Sequence, residues 1–60
     1  MKREELRMAR LGKHFSQKEI AEYIGVKQPF YSKIENGNAK PSLKQSKSLI
    51  KLLKINLKML

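Results

Sequence analysis

Residues 16–37 read SQKEIAEYIGVKQPFYSKIENG, two short helices joined by a turn that demands glycine. Ser16 with Glu19 three residues on is the pattern of a capping box, in which each side chain satisfies a backbone N–H at the other's position. Phe15 and Ile20 stand where a hydrophobic staple would fix how the chain enters the first helix. Ile20 and Ile24, four apart, share one helical face, and Tyr31 and Ile34 do so three apart. Ala21 is small enough to let a second helix cross closely. Gly25 falls where the first helix must end in a left-handed residue, a conformation that costs glycine nothing. Asn36-Gly37 closes the second helix in the same way. That dipeptide can also mark a hairpin, but the flanking apolar periods here are helical. The expected product is a helix-turn-helix unit whose second helix stands proud of the body, where it can enter a DNA groove.

Working outward, sixty residues make one small domain, residues 1–60, and a chain of this length buries only about 60% of its unfolded surface. No cysteine is present, so neither a disulfide framework nor a thiolate metal site is available, which fits a reducing cytoplasm. Met-Lys-Arg-Glu-Glu is not followed by an apolar run, so no secretory signal is expected, and lysines interrupt every apolar stretch, so no membrane span is either. Fourteen basic residues stand against five glutamates and no aspartate, for a net charge of +9. Such self-repulsion points to a polyanionic partner. Lysines 40, 44, 47, 51, 54 and 58 recur at spacings of four and three, which on one continuous helix would make a basic stripe. A stripe of this kind is ordinarily a solvated face. A basic amphipathic helix also suits a membrane surface, but tryptophan anchors are missing and Asn56 interrupts the helix.

The pattern predicts an all-α fold, a compact bundle of about five short helices. The first covers about residues 2–12, with Glu4 and Glu5 well placed in its first turn. The second and third run about 17–24 and 28–36. Ser42 and Gln45 offer a second capping box for a fourth helix ending near 53, and Asn56 can cap a short fifth. The expected core is Leu6, Leu11, Phe15, Ile20, Ile24, Val26, Tyr31, Ile34, Leu43, Leu49, Ile50, Leu53, Ile55 and Leu57. Leu52, Met59 and Leu60 have no evident core role and are assigned to a dimer surface.

Arg10, Ser16-Gln17, Glu19-Ile20-Ala21, Gly25-Val26, Ser32, Ile34-Glu35-Asn36-Gly37, Pro41-Ser42-Leu43 and Leu53 with Ile55-Asn56-Leu57 together resemble the Xre/Cro-type helix-turn-helix family, which includes small phage repressors. The resemblance covers residues 6 to 60. No single element is specific; a dozen at matching spacing are. Three positions depart from the family pattern. His14 replaces a turn glycine, at a residue type that tolerates positive φ. Tyr31 replaces a branched aliphatic, so its hydroxyl must reach water or a partner. Ser46 replaces a leucine and thins the core against the fourth helix.

In this fold the N-terminal residues of the third helix meet base edges, which places Lys27, Gln28, Pro29, Ser32 and Lys33 at the groove. The Gln28 amide can bond adenine N6 and N7 together, and Lys33 can donate to guanine O6 or N7. Pro29 loses nothing in a first helical turn, and its ring can pack on a thymine methyl. The resemblance implies direct base contact at Gln28, Pro29 and Lys33. It also implies that Gln17 binds a phosphate while bracing Gln28, and that Arg10 and Glu35 form an ion pair tying the first helix to the end of the third. Gln17 lies at a helix N-terminus, which suits an anion. Asn36, Gly37, Lys40 and Lys44 are the further phosphate candidates, fixing register without carrying sequence information.

A lone histidine, His14, and no aspartate or phosphate-cradling glycine loop leave no catalytic residues, no metal site, no cofactor and no small-molecule ligand to expect. The expected function is a sequence-specific regulator of transcription binding double-stranded DNA. It is a repressor, bound as a homodimer to a palindromic operator with half-sites about 10 base pairs apart. The alternative is an antitoxin-like or adaptor interaction module on the same fold.

Overall fold

The computed structural model describes residues 2–60 and contains four α-helices and a closing 3-10 turn: α1 Glu4–Gly12, α2 Gln17–Ile24, α3 Gln28–Glu35, α4 Leu43–Leu53 and the turn Leu57–Met59. Both capping boxes form. Ser16 Oγ accepts from Glu19 N at 3.1 Å while the Glu19 carboxylate accepts from Ser16 N at 2.9 Å, and Ser42 with Gln45 repeats both distances. The Ser16 N–H and hydroxyl hold the exposed Glu19 carboxyl below the usual range.

Between α2 and α3 the chain turns through Gly25 at φ 78°, and Val26 N reaches back to Ala21 O at 2.9 Å, so the last carbonyls of α2 are satisfied within the turn. No heavy atom would meet a Cβ on Gly25; the need for glycine is conformational, not steric. His14 adopts φ 62° at the exit from α1, as a position that favours glycine requires. Lys54, with φ 54°, ends α4 in the same region, and the residue type gives no warning of it.

Leu6, Ile20, Ala21, Tyr31, Ile34, Leu49, Leu53 and Ile55 form the buried core, with Phe15, Ile24, Val26 and Ile50 packed around it. Three expected core residues are exposed instead. Leu11 is turned out because α1 buries the Leu6–Arg10 ridge, one helical turn apart. Leu43 opens α4 about a quarter turn away from the buried line of Ser46, Leu49 and Leu53, and is 69% exposed. Leu57 starts the 3-10 turn, whose neighbours Ile55, Met59 and Leu60 face inward in its place. Leu52, Met59 and Leu60, expected to have no core role, are half-buried and pack against the core with one side. Ser46 is buried beneath a surface hollow of about 300 Å³ lined also by Lys40, Pro41, Leu57 and Leu60. A leucine at 46 would extend into that hollow.

Arg3 was not foreseen as a structural residue. Its backbone N donates to Glu35 O at 2.7 Å, and its guanidinium donates to the carbonyls of Ile34, Ala39 and Leu60. It thereby caps the C-terminal end of α3, where carbonyls have no partner within the helix, and ties down the loop that follows.

Candidate nucleic-acid interface

Tyr31, Ile34 and Glu35 are the buried face of α3. At about 100° per residue, Pro29 and Lys33 lie opposite that face as one i,i+4 pair, and Gln28 and Ser32, a second such pair, lie on its flank beside Glu35. Lys27, Gln28, Pro29 and Lys33 are exposed and Ser32 is half-buried. Short polar and basic side chains thus form one outward ridge, backed by Tyr31 and Ile34 in the core shared with Ile20 and Ala21 of α2. Pro29 lies in the first turn of α3, where no hydrogen bond is lost. Phe30, 37% exposed, flanks the ridge and was not singled out from the sequence.

Behind the ridge lies a buried polar cluster drawn from three helices. Arg10 of α1 donates through Nε to Glu35 Oε2 at 2.5 Å and through Nη2 to Oε1 at 3.3 Å, and its Nη1 donates to Phe15 O at 2.8 Å. Gln17, the first residue of α2, donates from Nε2 to the same Glu35 Oε1 at 3.1 Å. The charged carboxylate is a stronger acceptor than a neutral amide and takes one N–H of the Gln17 side chain, leaving the rest of the amide for other partners. Burial pushes the Glu35 carboxyl up, but the hydrogen bonds from Arg10 and Gln17 and the charge of Arg10 outweigh it and hold it below the usual range. The same pairing raises Arg10 further above its ordinary value, against the opposing effect of burial. The Tyr31 hydroxyl is buried beside this pair, near enough to Glu35 to feel it but without a well-aligned hydrogen bond. Burial and the Glu35 charge push it well up, and it stays neutral.

Of the phosphate candidates, Asn36, Lys40 and Lys44 are exposed and Gln17 is half-buried. Gly37 is less apt than its position implies: its N–H already donates to Ile34 O at 3.1 Å, and the Asn36 N–H to Ser32 O at 3.0 Å. Backbone donors in this loop are spent on ending α3, so the groups it leaves outward are the Asn36 and Lys40 side chains. From Lys27 onward eight lysines are exposed, while the one acid, Glu35, is buried and neutralised by Arg10. The outer surface of the α3–α4 half carries positive charge alone. Lys44, Lys47 and Lys51 share an exposed α4 face, and the left-handed Lys54 breaks the stripe after them. Among the described residues no helix is long and apolar enough to cross a membrane. Among the described residues no group of three His, Cys, Asp or Glu could hold a metal ion.

Comparison with known proteins gives a consistent result. A family model described as helix-turn-helix matches residues 6–60. The chain is 41% identical over 49 residues to an uncharacterized HTH-type transcriptional regulator, YqaF, of Bacillus subtilis (strain 168), covering 82% of this chain and 64% of that protein. It thus spans under two thirds of that relative's length. Among solved structures, the restriction-modification controller protein C.AhdI from Aeromonas hydrophila matches with a TM-score of 0.75 at 28% identity, over 90% of this chain and 82% of the other.

Proposed function

This chain belongs to the helix-turn-helix family of DNA-binding transcriptional regulators, and from that premise we propose that it reads duplex DNA with the outer ridge of α3 in the major groove. In this reading residues 1–60 work as a single DNA-binding domain in the cytoplasm, without catalysis. Gln28, Pro29 and Lys33 touch base edges, with Lys27 and Ser32 beside them. Gln17, Asn36, Lys40 and Lys44 hold phosphates on either side and set the register. The observation that carries this is the exposed side of α3 itself: Pro29 and Lys33 outermost with Gln28 on the flank, set in a surface whose exposed side-chain charge is all positive from Lys27 onward.

One α3 of eight residues spans only a few base pairs, so the proposed regulator acts as a homodimer on a palindromic operator and represses by occupying it. Leu43 at the start of α4 and Leu57 at the rim of the Ser46 hollow, 69% and 63% exposed, are apolar side chains this end offers a second copy. The test is selection of bound sites from a random duplex pool. A palindromic consensus with half-sites about 10 base pairs apart supports the proposal, and recovery of unenriched sequence overturns it.

A further inference from the structure

Glu35 lies inside the body, its side chain 3% exposed, yet one of its oxygens holds a residue at the proposed interface. A carboxylate only accepts hydrogen bonds, whereas a glutamine amide accepts at one end and donates at the other. Glu35 therefore selects the amide end that faces it: Nε2 of Gln17 points inward, at 3.1 Å from Oε1. The Gln17 oxygen and the second N–H of Nε2 are left facing the other way, at the first turn of α2. We infer that Glu35 is a positioning residue for DNA recognition, setting from within the core which end of the Gln17 amide meets the DNA. Arg10 is part of the device because it occupies Oε2 and shares Oε1, which locks the carboxylate plane. The inference rests on the DNA-binding reading above.

The same geometry supplies an inverting variant. In Glu35→Gln the still-charged Arg10 draws the new carbonyl oxygen toward itself, so the new NH₂ group turns to Gln17. Gln17 can then only accept, and its amide reverses, presenting its NH₂ outward. A purely structural role for Glu35 would change the folded fraction and leave the affinity of the folded protein alone. A positioning role changes affinity only while Gln17 is present.

The experiment is a double-mutant cycle of wild type, Glu35→Gln, Gln17→Ala and the double variant. Dissociation constants are measured on the duplex recovered by site selection, at a temperature where thermal melts show all four folded. Glu35→Gln is expected to change affinity about tenfold in the Gln17 background, the scale of one hydrogen bond to a charged group. In the Gln17→Ala background it should change affinity less than about twofold, so that the two residues are strongly coupled. Equal effects in both backgrounds, or no effect in either, overturn the inference while leaving DNA binding intact. A wild type that binds no duplex overturns both. Should Glu35→Gln fail to fold, Glu35→Asp takes its place in the cycle: it keeps the charge for Arg10 but withdraws the acceptor from Gln17, and the same two outcomes decide.

Discussion

Replacing Glu35 with alanine isolates the stability contributed by the buried ion pair. The variant leaves the guanidinium of the buried Arg10 with only its bond to Phe15 O, and leaves the inward N–H of Gln17 without an acceptor. Removing one partner of a buried pair costs about 3–5 kcal/mol in general. Gln17 at the edge of this cluster is half-buried, so the site is not sealed on all sides, and about 2–4 kcal/mol is expected. Against a total of about 3–9 kcal/mol for a chain of this length, that is a large fraction. Acid dependence provides an internal check. The Glu35 carboxyl is held below its ordinary 4.5, so its contribution is complete above that pH and is lost as pH falls through the folded-state value. Urea titrations at neutral pH should show the full gap between wild type and Glu35→Ala, narrowing as the solution is acidified below 4.5. Equal midpoints at pH 7, or a gap that widens on acidification, would refute the assignment of stability to this pair.

Four further substitutions test particular positions. Lys54→Gly relieves the left-handed strain at the end of α4 and should raise stability by about 0.5–1 kcal/mol, read as a higher urea midpoint; a lower one contradicts the φ of 54°. Ser46→Leu extends apolar surface into the hollow beneath Pro41 and Leu60 and should add about 1 kcal/mol, whereas a loss would show that the hollow cannot admit it. On DNA, Gln28→Ala should cost about 1–3 kcal/mol on the best site and relax the choice at one base position, while Lys44→Ala should weaken all sequences alike and flatten the salt slope by about one. If the two substitutions behave identically in a salt titration, the division of base from phosphate contacts is wrong.

Sequence revealed the helix ends better than the packing. Ser16, Gly25 and Ser42 act locally through hydrogen bonds and φ preferences within a few residues, so their types alone locate the boundaries of α2, α3 and α4. Leu11, Leu43 and Leu57 are as apolar as their buried neighbours, and only the rotation of each element against the body turns them out. Arg3 escaped notice because its partners are backbone carbonyls 31 to 57 residues away, which have no sequence signature. The outward placement of Gln28, Pro29 and Lys33 was legible because an eight-residue helix with Tyr31 and Ile34 inward leaves its other sides to solvent. The link from Gln17 to Glu35 was not, since a glutamine amide has several partners within reach and the choice is made by three-dimensional proximity to a charge.

The placement of α3 against DNA is tested most directly by following the backbone amides of ¹⁵N-labelled protein as the selected duplex is added. The largest shifts are predicted at Gln28, Ser32 and Lys33, with a second group at Gln17 and Lys18 where α2 begins. Unperturbed resonances along α3, with changes confined to the outer face of α1 around Met8 and Leu11, would contradict it.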